Sequence, residues 1–314
     1  MTDFNNILCV ISGAQDTTAI RRALQLATQN QSRLTFAMGM PSLPPLRLLG
    51  SQSSLLELEA AVKAECAAVL EQVAASCQES IKAETLVLRS QGFLPVIQAV
   101  LHGNHDLLIK QGENPSALPR LSGSVDMHLL RKCPATVLLV RADEPERYRR
   151  VLAAVDVDPD ADTAINQVLN QRVMSLASHL CSLDSGQLHV VHSWDVPGVG
   201  LVRRWADDPD AEEERLVTNE HLLRSQRLSR LCDALPAQEP HGITQHLPRG
   251  LPASKVPDVA RRIEADLVVM GTIARTGIPG LIIGNTAEAI LDRLNCSVMA
   301  LKPDGFRSPV RETD

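Results

Sequence analysis

Aromatic residues are almost missing from this chain: two Trp, one Tyr and four Phe make up 2% of 314 residues. That scarcity excludes the row of stacking rings on which single-stranded nucleic acids are usually held. A net charge of −6 at pH 7 excludes an overall basic footprint for a phosphate backbone. Nucleic acid is therefore not an expected partner. No run approaches the roughly 18 apolar residues of a membrane span. The start, MTDFNNILCVIS, lacks the basic and long apolar regions of a signal peptide. The seven cysteines are odd in number, scattered, and never spaced C-x-x-C. They read as small core residues in a reducing cytosol, not as a disulfide framework or a zinc site. The histidines form no obvious ligand set either. His102 and His105 flank Gly103-Asn104, which predicts a turn, and His189 and His192 lie three apart in a strand pattern and so face opposite sides.

What is present is aliphatic. Hydrophobic residues make up 44%, enough for real cores built from Leu, Val, Ile and Ala, and the length suits two domains of about 150 residues. One unit occurs twice. Ile7–Ser12 and Val151–Asp156 are matching apolar runs, each followed by a polar turn and an amphipathic helical pattern. Asp106–Lys110 matches Asp266–Met270, and Leu129–Cys133 matches Asp292–Cys296, each of the latter pair just before a last strand. Strand patterns at 32–40, 84–89, 187–194 and 242–247, with long helical patterns at 54–79 and 210–235, complete the units. Each half then reads β-α-β-α-β-α-β-α-β, which predicts a five-stranded parallel sheet with helices on both faces. The charged, proline-bearing segment 142–150 is the seam. Pro/Gly-rich stretches at 41–50 and 195–204 follow a second strand in each half and read either as lids over a ligand or as linkers into the long helices.

The most informative stretch is DLVVMGTIARTGIPGLIIGNTAEAILDRLNCSVMALKP, residues 266–303. A short apolar strand leads into a loop with glycines at 271, 277, 280 and 284, and a helix follows from about Asn285. Glycine-rich backbone between a strand and a helix start presents N–H groups and the positive end of a helix dipole to an anion. This stretch resembles the universal stress protein family, whose nucleotide-binding members carry G-x2-G-x9-G-[S/T] here. Gly271, Arg275-Thr276-Gly277 and Gly284 match, whereas Ala274 stands in place of the second glycine and Asn285-Thr286 in place of Gly-Ser or Gly-Thr. VDMHLLRKCPATVLLV at 125–140, and the pairing of one intact loop with one degenerate loop, resemble the tandem-domain type of that family.

The resemblance implies two tandem Rossmann-like domains of the adenine nucleotide alpha hydrolase-like kind, at 1–142 and 149–304, with 305–314 as a C-terminal tail. It implies a cytoplasmic stress-response protein that binds an adenine nucleotide, ATP or AMP, as a sensing or adaptor module. The halves would form an internal pseudo-dimer through their last strands, with a homodimer also open. In the second half the candidate binding residues are Gly271, Thr272, Arg275, Gly277, Gly284, Asn285 and Thr286 around the phosphates. In nucleotide-binding members of the family an aspartate at the end of the first strand faces the adenosine, and the resemblance implies that role for Asp156. A carboxylate there accepts ribose or adenine donors, while Asp162-Thr163 supply the helix start that Asp156 might otherwise serve. In the first half Ser12 replaces that carboxylate, and Pro115 and Pro119 remove backbone donors from the loop at 111–124.

Ser12-Gly-Ala-Gln-Asp-Thr17 is similar to the phosphate loop of the ATP pyrophosphatases, but Ala14 replaces a glycine and Asp16-Thr17 also reads as a helix start. No Ser/His/Asp or Cys/His set and no metal-binding carboxylate pair can be placed from spacing. The expectation is a small-molecule binding module rather than an enzyme. The alternatives are the same fold holding an apolar or acyl metabolite, and a slow ATP hydrolase or pyrophosphatase-like enzyme.

Overall fold

Each segment that predicts a strand is a strand in the computed structural model: the central runs are apolar and buried on both faces, while the edge strands at 84–88 and 243–246 turn much of their length to solvent. The structure describes residues 4–45, 52–77, 81–113, 124–161, 163–235, 242–272 and 284–311. The chain divides into two units: one holds the residues up to Glu146 together with the segment from Phe306, and the other runs Arg147–Gly305.

The first unit contains β1 (Asn6–Val10), α1 (Thr17–Asn30), β2 (Arg33–Gly39), α2 (Gln52–Ser76), β3 (Glu84–Leu88), α3 (Phe93–Gly103), β4 (Leu107–Gln111), α4 (Val125–Lys132) and β5 (Thr136–Val140). Its strands lie in the order β3-β2-β1-β4-β5, all parallel. The second unit contains β6 (Arg150–Ala154), α5 (Ala164–Asp184), β7 (Gln187–Val191), α6 (Val199–Trp205), α7 (Pro209–Asp233), β8 (Ile243–His246), α8 (Pro252–Arg262), β9 (Leu267–Gly271), α9 (Asn285–Leu291) and β10 (Ser297–Leu301). The same parallel order recurs, β8-β7-β6-β9-β10. In both units the chain leaves the first strand on one side and returns on the other. The crevice at the carboxyl ends of β1 and β4, and of β6 and β9, is the place where such sheets take ligands.

The cores are aliphatic as composition requires, with Phe36 and Tyr148 the aromatic side chains that are wholly enclosed among the described residues. The seven cysteines are free, and only Cys296 among them is partly exposed. Local chemistry fixes the helix ends. Ser124 and Thr163 accept the N–H groups of Met127 and Asn166 at the starts of α4 and α5. Asp16 stands at the start of α1, but its carboxylate turns back to accept Ser12 N–H at 2.6 Å instead of capping forward. The Ser12 loop is thus closed on its own acid. The turn expected at His102–His105 begins one step later, since α3 runs through Gly103 and stops at Asn104 in the left-handed region at φ 51°.

Two connecting segments are more tightly held than their composition suggests. In the seam, buried Glu144 accepts from Arg22 Nε of α1 at 2.7 Å, Pro145 O accepts from the same guanidinium, and Ala142 O accepts from Thr18. The C-terminal segment lies on the first unit, where Ser308 Oγ donates to Lys132 O at 2.8 Å and Val310 is buried.

Candidate functional site

β6 and β9 are neighbours, with Ala154 opposite Met270, so the residues just beyond them share one sheet end. Asp156 lies on one side of this crevice and Thr272 on the other. The backbone of Asp156 is clamped by α5: Asn170 Oδ1 accepts its N–H at 3.1 Å, and Asn166 and Asn170 amides donate to its carbonyl at 2.8 and 2.7 Å. Its carboxylate is one-third exposed and accepts Asp158 N–H at 3.2 Å. A fixed backbone carrying a part-exposed carboxylate suits an acceptor for hydroxyl or amino donors.

Around that carboxylate stand groups that the sequence did not single out. His192, just past β7, is 2% exposed, with Nδ1 3.9 Å from Asp156 Oδ1 and 3.3 Å from both Val155 O and Val157 N. Burial pushes its pKa down, against the opposing pull of Asp156. Arg224 of α7 is buried, lies 3.7 Å from Asp158 Oδ2, and sits over the Trp194 ring. Asn166 and Asn170, one helical turn apart, were the only one of these features with a spacing signal. Arg224 had none, being one charge among many on a polar helix.

On the phosphate side, Gly271, Thr272 and Gly284 are brought together. Gly284 N–H donates to Thr272 O at 2.9 Å, which closes the base of the loop between them. Gly271 makes room for α5: a Cβ there would meet Leu169 Cδ2 at 2.6 Å. Thr272 is fully buried, its hydroxyl donating to Leu301 O and accepting from Lys302 Nζ at 2.6 Å. Lys302 is a buried cation at the loop base that sequence reading passed over. Gly284 has ordinary extended dihedrals, φ −65° and ψ 145°, so its backbone conformation does not itself demand glycine. It supplies no side-chain cap to α9, and Asn285 and Thr286 are exposed at that helix start. Arg275 and Gly277, with Ala274, lie outside the described residues.

The first unit fills the corresponding place with its own groups. Gly112 and Ser124 there occupy the register positions of Thr272 and Gly284, and Asp126 that of Thr286. The Asp126 carboxylate accepts from Lys110 Nζ at 2.8 Å and from Glu113 N–H at 2.7 Å, while Ser124 caps α4. Burial, with Asp126 beside it, raises the pKa of Glu113.

This doubled, parallel, helix-covered fold with one such crevice per unit is that of a tandem universal stress protein. The sequence profile of the universal stress protein family matches residues 3–141 and again 147–302, and the chain belongs to that family. It is similar along its whole length to universal stress protein E of Escherichia coli (strain K12), 27% identical over 324 residues, with 100% of this chain and 99% of the relative covered. Universal stress protein E of Photorhabdus laumondii is 27% identical over 318 residues, 99% of each chain. Two solved structures share the fold. One is a functionally unknown protein from Pseudomonas aeruginosa PAO1, with TM-score 0.65, 23% identity, and 97% and 95% of the two chains covered. The other is a universal stress protein from Archaeoglobus fulgidus, with TM-score 0.63, 16% identity, and 95% and 98% covered. Among the described residues no helix is long and apolar enough to cross a membrane.

Proposed function

We propose that the second unit binds one adenine nucleotide per chain, ATP or AMP, and that the first unit binds none. The protein then acts in the cytoplasm as a stress-response sensor or adaptor whose conformation or partners follow the ligand, rather than as an enzyme. One observation carries this reading: at matching register the first unit supplies its own cap and its own anion, Ser124 and Asp126, where the second has Gly284 and Thr286. A helix start with Thr286 where the first unit has Asp126, next to buried Lys302, suits a phosphate from outside. In this reading Gly271, Thr272, Arg275, Gly277, Gly284, Asn285 and Thr286 surround the phosphates, with Thr272 acting by fixing the loop base and holding Lys302. Asp156 accepts the adenosine donors.

Calorimetric titration with ATP tests this directly. A stoichiometry of one, abolished by Gly284→Val with the far-UV spectrum unchanged, is the expected result. Two equivalent sites, or undiminished affinity in that variant, would overturn it. A second reading has its own support. Ile165, Val168, Leu201 and Leu251, all near the carboxyl ends of the second unit's strands, are exposed apolar side chains. They suit an apolar or acyl metabolite, which mass spectrometry of the co-purified ligand would reveal.

A further inference from the structure

α7 has twenty-five residues, yet the side chains it buries are Arg224, Leu228 and Cys232. Two of these are ordinary anchors in the last turns. The third is a cation, 4% exposed, just past the middle of a helix whose first half buries no side chain. Its pairing is incomplete. Its Nη1 donates to the carboxylate of Glu220, which is on its own helix, whereas across the packing Asp158 Oδ2 lies 3.7 Å away, beyond hydrogen-bond range, and Arg224 Nε has no partner. The guanidinium carbon sits 5.7 Å from the centre of the Trp194 ring, and the His221 ring lies 5.6 Å from the same indole. A buried guanidinium whose partner across the packing, Asp158, stays beyond hydrogen-bond range is costly to keep in place.

The position of this cation gives it a use. Asp158 N–H donates to Asp156 Oδ1, so the two carboxylates belong to one turn at the end of β6. Beside that turn His192 Nε2 is buried and also unpartnered. We propose that Arg224 is an internal latch, which holds α7 down on the Asp156–Asp158 turn so that the site takes its ligand only when the guanidinium withdraws. The inference rests on the reading that the Asp156 edge binds the ligand, and it identifies the groups the ligand must displace. The segment feeding α7 can allow such movement: Gly198 lies in the left-handed region at φ 73°, and a Cβ on Gly200 would meet nothing. A latch of this kind lowers the apparent affinity by the fraction of molecules that are open.

The test uses the full chain carrying Trp205→Phe, which leaves Trp194 as its single indole. Arg224→Met keeps the apolar stem over Trp194 and removes the charge, and Asp158→Asn removes the partner from the other side. Hydrogen exchange along α7 should quicken about tenfold in either variant, with the double variant adding nothing further. Acrylamide quenching of Trp194 should rise with it. Arg224→Lys should restore the parental exchange rate. ATP should bind Arg224→Met about tenfold more tightly than the parent. Unchanged exchange in both single variants overturns the latch whatever ATP does. Faster exchange with ATP affinity equal or weaker makes Arg224 a plain structural pin and also overturns it. If neither protein binds ATP, it is the nucleotide reading that fails, and the latch stands or falls on the exchange and quenching measurements.

Discussion

At the end of β4 a carboxylate of the chain itself, Asp126, sits in front of the helix start, neutralised by Lys110. At the end of β9 the position of Asp126 is taken by Thr286, the acid of the first helical turn is Glu288, and Lys302 is turned inward onto Thr272. The two units therefore share a strand order and a crevice but differ in the charge of the first helical turn at that position, Asp126 in one and Thr286 in the other. The difference shows that one position in the first helical turn can change the charge of a crevice without changing its frame. Nothing in the sheet changes with it, because helix starts favour negative charge from any source.

A second contrast lies behind that one. In the first unit Arg22 of α1 holds Glu144 with both side chains buried, whereas in the second Arg172 of α5 holds Asp304 with both well exposed. The same geometric device, a helix gripping the segment after the last strand, is buried once and solvated once.

These contrasts predict effects of different size. Glu144→Ala leaves a buried guanidinium without its charge partner and should destabilise the protein by about 3–5 kcal/mol. Asp304→Ala removes a solvent-screened pair and should cost about 1 kcal/mol or less. Urea unfolding of both variants measures the difference, and equal costs would remove the contrast. Making the second unit resemble the first, by Gly284→Ser with Thr286→Asp, should weaken ATP binding about a hundredfold, roughly 2.7 kcal/mol, with little change in stability. Calorimetry decides it, and unchanged affinity would show that the missing acid is irrelevant.

The third prediction concerns pH. Burial lowers the pKa of His189 and His192, and it lowers that of His246, with His189 and Arg262 adding to the effect, from the ordinary 6.5 to about 4. Each therefore binds its proton more readily in the unfolded chain. Stability present above pH 6.5 should be lost as pH falls from there towards about 4, the folded value of His246. His246→Gln should flatten the fall in urea midpoint between about pH 7 and about pH 5, and a parallel slope would rule out His246 as a source. The smallest effect expected is from Ala274→Gly, which restores the family glycine. It should tighten ATP binding by about threefold, under 1 kcal/mol, if alanine there restrains the loop.

Much of this was open to reading in the chain alone. Apolar runs such as Leu107–Ile109 and Leu267–Val269 can only be strands buried on both faces, and their recurrence after Ile7 and Val151 dictated two units of one kind. Gly271, Gly284 and the proline-broken loop at 111–124 were equally visible, since glycine and proline act on the backbone wherever they stand. What the chain could not disclose was set by contacts across long separations. Asp126 reads as a solvated acid in an amphipathic helix until Lys110, on a strand sixteen residues away, comes within 2.8 Å. Arg224 reads as one more charge on a polar helix until packing buries it beside Asp158, and Glu144 as a linker residue until Arg22 encloses it. Hydrophobic periodicity is local and survives in one dimension, so the sequence determined the elements, their number and their duplication. The desolvation and pairing of a charge depend on neighbours that only folding supplies, so the tertiary structure decided which charges are enclosed and what each is paired with.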